Sequence, residues 1–109
     1  MATGRRSALL ISNSVYEDLT FRQLQAPAAD VNGLQNVLSN PAIGNYTVQL
    51  LNDTPSHQVN QAIERFFAEA TLDDLVLLYF SGHGFKDDEG RLYLVTSDSR
   101  RQLLVGFQN

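Results

Sequence analysis

The chain has 109 residues, 43% of them apolar, with twelve acidic against eight basic side chains and a net charge of −4. That is one domain or part of one, with enough apolar content for a real core, and its acidic balance argues against a nucleic-acid surface, which usually carries a basic excess. There is no cysteine, which excludes disulfides, thiolate metal sites and a cysteine nucleophile within these residues.

The stretch from Met1 to Ile11 lacks the long apolar segment of a signal peptide and reads straight into a strand. No apolar run approaches the ~20 residues needed to span a bilayer, so a soluble, cytoplasmic protein with no membrane partner is expected. Ala8–Ile11 is a short apolar run of the buried-strand kind. Asn13 to Ala26 follows as a polar loop that contains Tyr16 and Phe21. Loops longer than about 12 residues in a compact domain are often functional. Pro27 suits the first turn of a helix, and Val31, Leu34 and Leu38 supply its apolar face at spacings of three and four. Asp30 falls near the positive end of that helix, where a carboxylate is favoured, and Ser39-Asn40-Pro41 stops it.

Tyr46–Leu51 reads as a second strand. Thr54 is expected to cap the next helix, with Pro55 as its first residue and Val59, Ile63, Phe66, Phe67 and Ala70 on one face. Leu75–Phe80 is a third strand whose unbroken apolar run predicts cover on both faces. Strand, helix, strand, helix, strand implies a parallel sheet. Between Phe80 and Leu92 there is no room for a helical crossover. Asp87–Gly90 is a turn signal and Arg91–Val95 a short strand, so a hairpin is expected there. Arg5-Arg6 and Arg100-Arg101 read as solvated pairs near the ends, and Leu103–Phe107 as a last apolar stretch.

A parallel sheet gathers the carboxyl ends of its strands at one edge, where open α/β sheets bind ligands. The loop after Ile11, Asp30, Asp53 and the turn Ser81-Gly82-His83-Gly84 all fall there. His83 is a candidate general base, weighed against a turn histidine held by a backbone hydrogen bond. Asp53 could accept a cation or phosphate, but the turn leading into the next helix is the favoured reading. His57 reads as a surface residue. Asp87, Asp88 and Glu89 do not have the spacing of a calcium loop. Ser81 is not in a Gly-x-Ser-x-Gly elbow and is assigned to a pocket wall. Ser12–Val15 is not the glycine-rich loop a phosphate-binding flavodoxin-like domain would need.

The segments Ala8–Asn13, Leu24–Val31, Asp74–Gly84 and Gly90–Asp98 resemble, in order, the amino-terminal half of a caspase-like cysteine peptidase domain. The likeness covers about residues 7–98 and is nearest to bacterial caspase-like proteins and metacaspases. It implies an α/β fold of the caspase-like, flavodoxin-like three-layer kind, a parallel sheet with flanking helices. Residues 1–109 would be the amino-terminal part of one such domain, its sheet incomplete. By the resemblance His83 is the histidine of a Cys–His dyad and the Gly84 N–H belongs to the oxyanion hole. It also puts Asp30 and Ser81 in the substrate pocket of an endopeptidase that cuts polypeptides after arginine or lysine. Animal caspases instead use an arginine before the helix, where this chain has Leu24 with Arg22 close by. Metacaspases often use calcium, but no site is assigned and no cofactor is expected. In caspases the nucleophile follows its histidine by roughly 50 residues, more than follow His83 here. The chain alone is therefore expected to be inactive. Its expected partner is the missing carboxy-terminal half or another caspase-like chain. The alternative is a catalytically inactive regulatory or interaction module that pairs through its incomplete sheet.

Overall fold

Strand β1 (Arg6–Ser12) carries four consecutive apolar side chains, and all four are buried. Successive strand residues point to opposite faces, so β1 nucleates two cores. Ala8 and Leu10 meet Val31, Leu34 and Leu38 of helix α1 (Ala26–Ser39), as the spacing predicts. Leu9 and Ile11 meet Val59, Ile63 and Phe66 of helix α2 (Ser56–Ala68) on the other face. The computed structural model, which describes residues 4–24 and 26–99, is thus a helix–sheet–helix sandwich around β1.

Strands β2 (Thr47–Asn52) and β3 (Leu75–Ser81) flank β1 in the order β2-β1-β3, both parallel to it. Leu10 lies between Leu50 and Tyr79 in register, and Ile11 between Leu51 and Phe80. The expected hairpin forms from β4 (Gly84–Lys86) and β5 (Leu92–Leu94), which pair antiparallel as a separate two-stranded sheet. No helix among the described residues is long and apolar enough to cross a membrane. Arg100-Arg101 and Leu103–Phe107 lie outside the described residues.

Three sequence expectations are corrected. β3 is not covered on both faces: Leu75 is 55% and Leu78 38% exposed. It is the outer strand of the described sheet, and α2 packs its apolar residues mainly on β1. The one apolar face expected of α2 is narrower than five residues: Val59, Ile63 and Phe66 join the core, exposed Phe67 packs edge-on against Phe66 at 5.3 Å, and Ala70 falls beyond the helix end. The local cap at Thr54 is also absent. Thr54 Oγ1 donates to the Asn52 carbonyl, and α2 begins one residue later than expected, at Ser56. Its first N–H donates to Asp98 Oδ1 at 2.8 Å, so the helix is capped from across the fold.

At the amino-terminal edge of the sheet Asp74 accepts the Arg5 N–H (2.9 Å), the Thr71 N–H (2.9 Å) and the Arg5 guanidinium (3.0 Å). These hydrogen bonds, the Arg5 main-chain one foremost, outweigh desolvation and hold its carboxyl well below the usual carboxylate range.

Truncating Leu10 to alanine should cost about 2–5 kcal/mol, the usual range for a buried leucine. The same change at fully exposed Leu72 should stay within about 0.5 kcal/mol, both read from urea denaturation. Because the folded-state pKa of Asp74 is depressed, its contribution is complete above the unfolded value of about 4 and fades as pH falls below it. Asp74→Asn should therefore flatten the acid limb of stability against pH. An unchanged limb would mean that Asp74 does not carry it.

Candidate active site

The site is assembled where β1 and β3 leave the sheet. Parallel pairing continues one residue past the end of β1, with the Asn13 N–H donating to the carbonyl of Ser81, the last residue of β3, at 2.9 Å. On the other side of β1, Asp53 donates its N–H to the Ser12 carbonyl at 2.9 Å. Asp53 adopts a left-handed φ of 48°, a conformation that aspartate tolerates better than most residues. Its Oδ1 accepts the N–H groups of Ser14 (2.7 Å) and Val15 (3.0 Å). Asp53 is therefore the anchor of the loop after β1, in keeping with the turn reading.

The loop doubles back on itself. The Tyr16 N–H donates to Gln23 Oε1 (2.8 Å), Gln23 Nε2 returns a bond to the Tyr16 carbonyl (3.2 Å), and the Leu24 N–H reaches the Ser14 carbonyl (2.8 Å). Gln23 stands in for a strand partner that the loop lacks. The fold-back turns Tyr16 and Phe21 inward onto Val95, with Leu24 and Phe85 packed around them. This third apolar cluster lies beneath the histidine turn. The His83 ring sits 5.0 Å from the Tyr16 ring and 6.1 Å from that of Phe21.

His83 is half-buried and held at three points. Its N–H donates to the Tyr16 hydroxyl (3.0 Å), its carbonyl accepts the Val95 N–H (3.0 Å), and its ring Nε2 lies 2.7 Å from the Arg22 carbonyl. A carbonyl oxygen only accepts, so Nε2 carries the proton. In the neutral ring the basic lone pair is then on Nδ1. The side chain predicted as a base has its base nitrogen chosen by a main-chain carbonyl.

Gly84 pairs with Leu94 across the hairpin. The bonds from the Val95 N–H to the His83 carbonyl and from the Asp87 N–H to the Arg91 carbonyl define the alternation. They make Gly84/Leu94 a non-hydrogen-bonded pair, whose N–H and C=O point away from the partner strand. The Gly84 N–H is thus directed away from β5, one residue from His83. The turn leaves little room for a side chain at 82. A Cβ there would lie 3.1 Å from each of the Asn13 carbonyl oxygen, the Tyr16 hydroxyl and Phe80 Cζ.

Ser81 ends β3, half-buried, beside the loop. Asp30 is exposed on α1, and the first turn of that helix has no acidic residue. The dipole acts within the first turn, so that explanation of Asp30 is lost. No hydrogen bond or ion pair joins Asp30 to Ser81 or His83 among the described residues. His57 is exposed on α2. At the hairpin tip Asp87 uses both carboxylate oxygens: Oδ1 accepts the Glu89 and Arg91 N–H groups, and Oδ2 accepts Arg91 Nε and the Tyr93 hydroxyl. Burial pushes its pKa up, but these bonds prevail and hold it below the ordinary value. No group of three potential metal ligands occurs among the described residues.

Asn13, Tyr16, Arg22 and Asp98 are the participants that sequence reasoning missed. The long loop with two aromatics pointed to Tyr16. Nothing in a side chain marks Arg22, which acts through its carbonyl. Asp98 ties the exit of the hairpin to the core, taking the Ser56 N–H and the Thr96 hydroxyl (3.0 Å). Burial raises its pKa, but these bonds win and leave it lowered.

A family model described as the caspase domain matches residues 5–107. The match takes in nearly the whole chain, and the chain belongs to that family. No curated protein matches it closely enough to report.

Nitrogen-15 NMR of neutral His83 should find its ring proton on Nε2. A ring protonated mainly on Nδ1 would contradict the Arg22 hydrogen bond.

Proposed function

We propose that this caspase-family chain supplies the histidine half of a Cys–His endopeptidase site that cleaves after arginine or lysine. The observation that carries the reading is the fixed His83 ring, with Nε2–H committed to the Arg22 carbonyl and Nδ1 left as the base. The Gly84 N–H, directed away from β5 one residue along, supports it as an oxyanion donor.

The thiol comes from outside these residues, since none of the 109 is a cysteine. His83 Nδ1 takes the thiol proton, and the thiolate attacks the scissile carbonyl carbon. The Gly84 N–H stabilises the oxyanion as the carbonyl π bond opens. When the C–N bond breaks, the imidazolium returns its proton to the leaving amine. Water, deprotonated by the same nitrogen, then cleaves the thioester. The exposed carboxylate of Asp30, with Ser81 at the end of β3, would receive the basic side chain before the cut. No step in this reading uses a metal, and the Asp87 carboxylate is already committed to the hairpin.

The cysteine-bearing segment, from the same polypeptide or another caspase-like chain, would add its strand along the outer edge of β3. Exposed Leu75 and Leu78 support this. The same edge, outermost among the described strands, favours a second reading, a non-catalytic module that pairs with an active relative.

In the complete enzyme, with the cysteine segment present, His83→Ala should lower kcat/KM by about 10²- to 10⁴-fold, the range of general acid–base catalysis. Asp30→Asn should weaken cleavage after arginine about tenfold or more, as expected when a charged hydrogen bond is lost, and spare aspartate-ended substrates. Full activity of the His83→Ala enzyme would leave the non-catalytic module standing. An unchanged arginine preference in the Asp30 variant would remove Asp30 from the pocket.

A further inference from the structure

We infer that the Tyr16 hydroxyl is the positioning group for His83, the one side-chain atom that sets where the catalytic ring sits. This deepens the peptidase reading and rests on His83 being the base. Of the three bonds that hold His83, those to Val95 and Arg22 use main-chain atoms only at the far end. Tyr16 supplies the third through its side chain.

The hydroxyl closes a ring of hydrogen bonds around Gly82. The Ser81 carbonyl accepts the Asn13 N–H (2.9 Å), the Asn13 carbonyl accepts the Tyr16 O–H (3.0 Å), and the Tyr16 oxygen accepts the His83 N–H (3.0 Å). The residues on either side of Gly82 are thereby tied to one point of the β1 exit. The absence of a side chain at 82 belongs to the same device, because a Cβ would press on two of its oxygens at 3.1 Å.

Tyr16 is 2% exposed and sits among Phe21, Phe85, Leu24 and Val95. Phenylalanine would fill that cluster equally well. The hydroxyl is set apart by its partners, two backbone groups that frame the histidine turn. A buried tyrosine hydroxyl is kept where it has such partners. Phenylalanine leaves the Asn13 carbonyl and the His83 N–H without them, and an unsatisfied buried group drives local rearrangement. Once the turn shifts, the ring tip loses its alignment with the Arg22 carbonyl, and the proton is no longer confined to Nε2.

The test is nitrogen-15 NMR of His83 in the 109-residue chain, comparing wild type with Tyr16→Phe. The ratio of Nε2–H to Nδ1–H tautomer in the neutral ring should fall about tenfold, the factor one hydrogen bond sets. Val95→Ala, which thins the same cluster but removes none of the three bonds, should lower stability and keep the ratio. Gly82→Ala, which crowds the hydroxyl from the other side, should reproduce the fall and serves as the readout if Tyr16→Phe does not fold. The inference is overturned if Tyr16→Phe keeps the wild-type ratio. It is equally overturned if Val95→Ala lowers the ratio as much, since packing would then do the positioning. Peptide cleavage does not enter this measurement. Failure of the peptidase reading would appear only in the His83→Ala assay.

Discussion

The burial of β1 on every side governs the rest of the molecule. Ala8 and Leu10 face one helix, Leu9 and Ile11 the other, and a parallel strand lies along each edge. Leu9, Leu10 and Ile11 each contribute about 1.5–3 kcal/mol when fully withdrawn from water. Parallel pairing then forces β1, β2 and β3 to leave the sheet at the same end. The loop from Asn13, the Asp53 turn and the histidine turn meet there for that reason.

That edge has little regular structure, yet its main-chain groups find partners. Asp53 holds the N–H groups of Ser14 and Val15, Gln23 bonds the main-chain N–H and C=O of Tyr16, and Asp98 takes the first N–H of α2. Each is a polar side chain that serves a main-chain group in place of a strand or a local cap. The Asp98 bond reaches furthest. It fastens the segment after β5 to α2, and Val95, at the start of that segment, supports the His83 carbonyl. The histidine turn is thereby coupled to the α2 core through the hairpin.

The geometry of the candidate site depends heavily on main-chain atoms. A carbonyl at Arg22 fixes the His83 tautomer, and strand alternation aims the Gly84 N–H. Such groups are held in place by the fold, and holding them costs no side-chain entropy. Beneath them Tyr16, Phe21 and Val95 form the third apolar cluster, which stabilises this end of the fold.

Much of this was legible in the residues. The apolar run at Ala8–Ile11, the three-and-four spacing of Val31, Leu34 and Leu38, and the turn signal at Asp87–Gly90 located the sheet, a helix face and the hairpin, because local periodicity reflects which face is buried. The Ser-Gly-His-Gly turn behind an apolar strand located the histidine. What the residues did not disclose depends on partners distant in sequence. Thr54 looks like a cap, but Asp98 captures Ser56 from the other side of the fold. Leu75 and Leu78 look buried, but their strand lies at the sheet's described edge, and burial belongs to neighbours as much as to side chains. The nitrogen of His83 that carries the proton is decided by the carbonyl of Arg22, an atom every residue possesses. Sequence alone determined which strand is buried at the centre and where the histidine turn falls. Tertiary structure decided their orientation and protonation geometry, because backbone hydrogen bonds between remote segments exist only after folding.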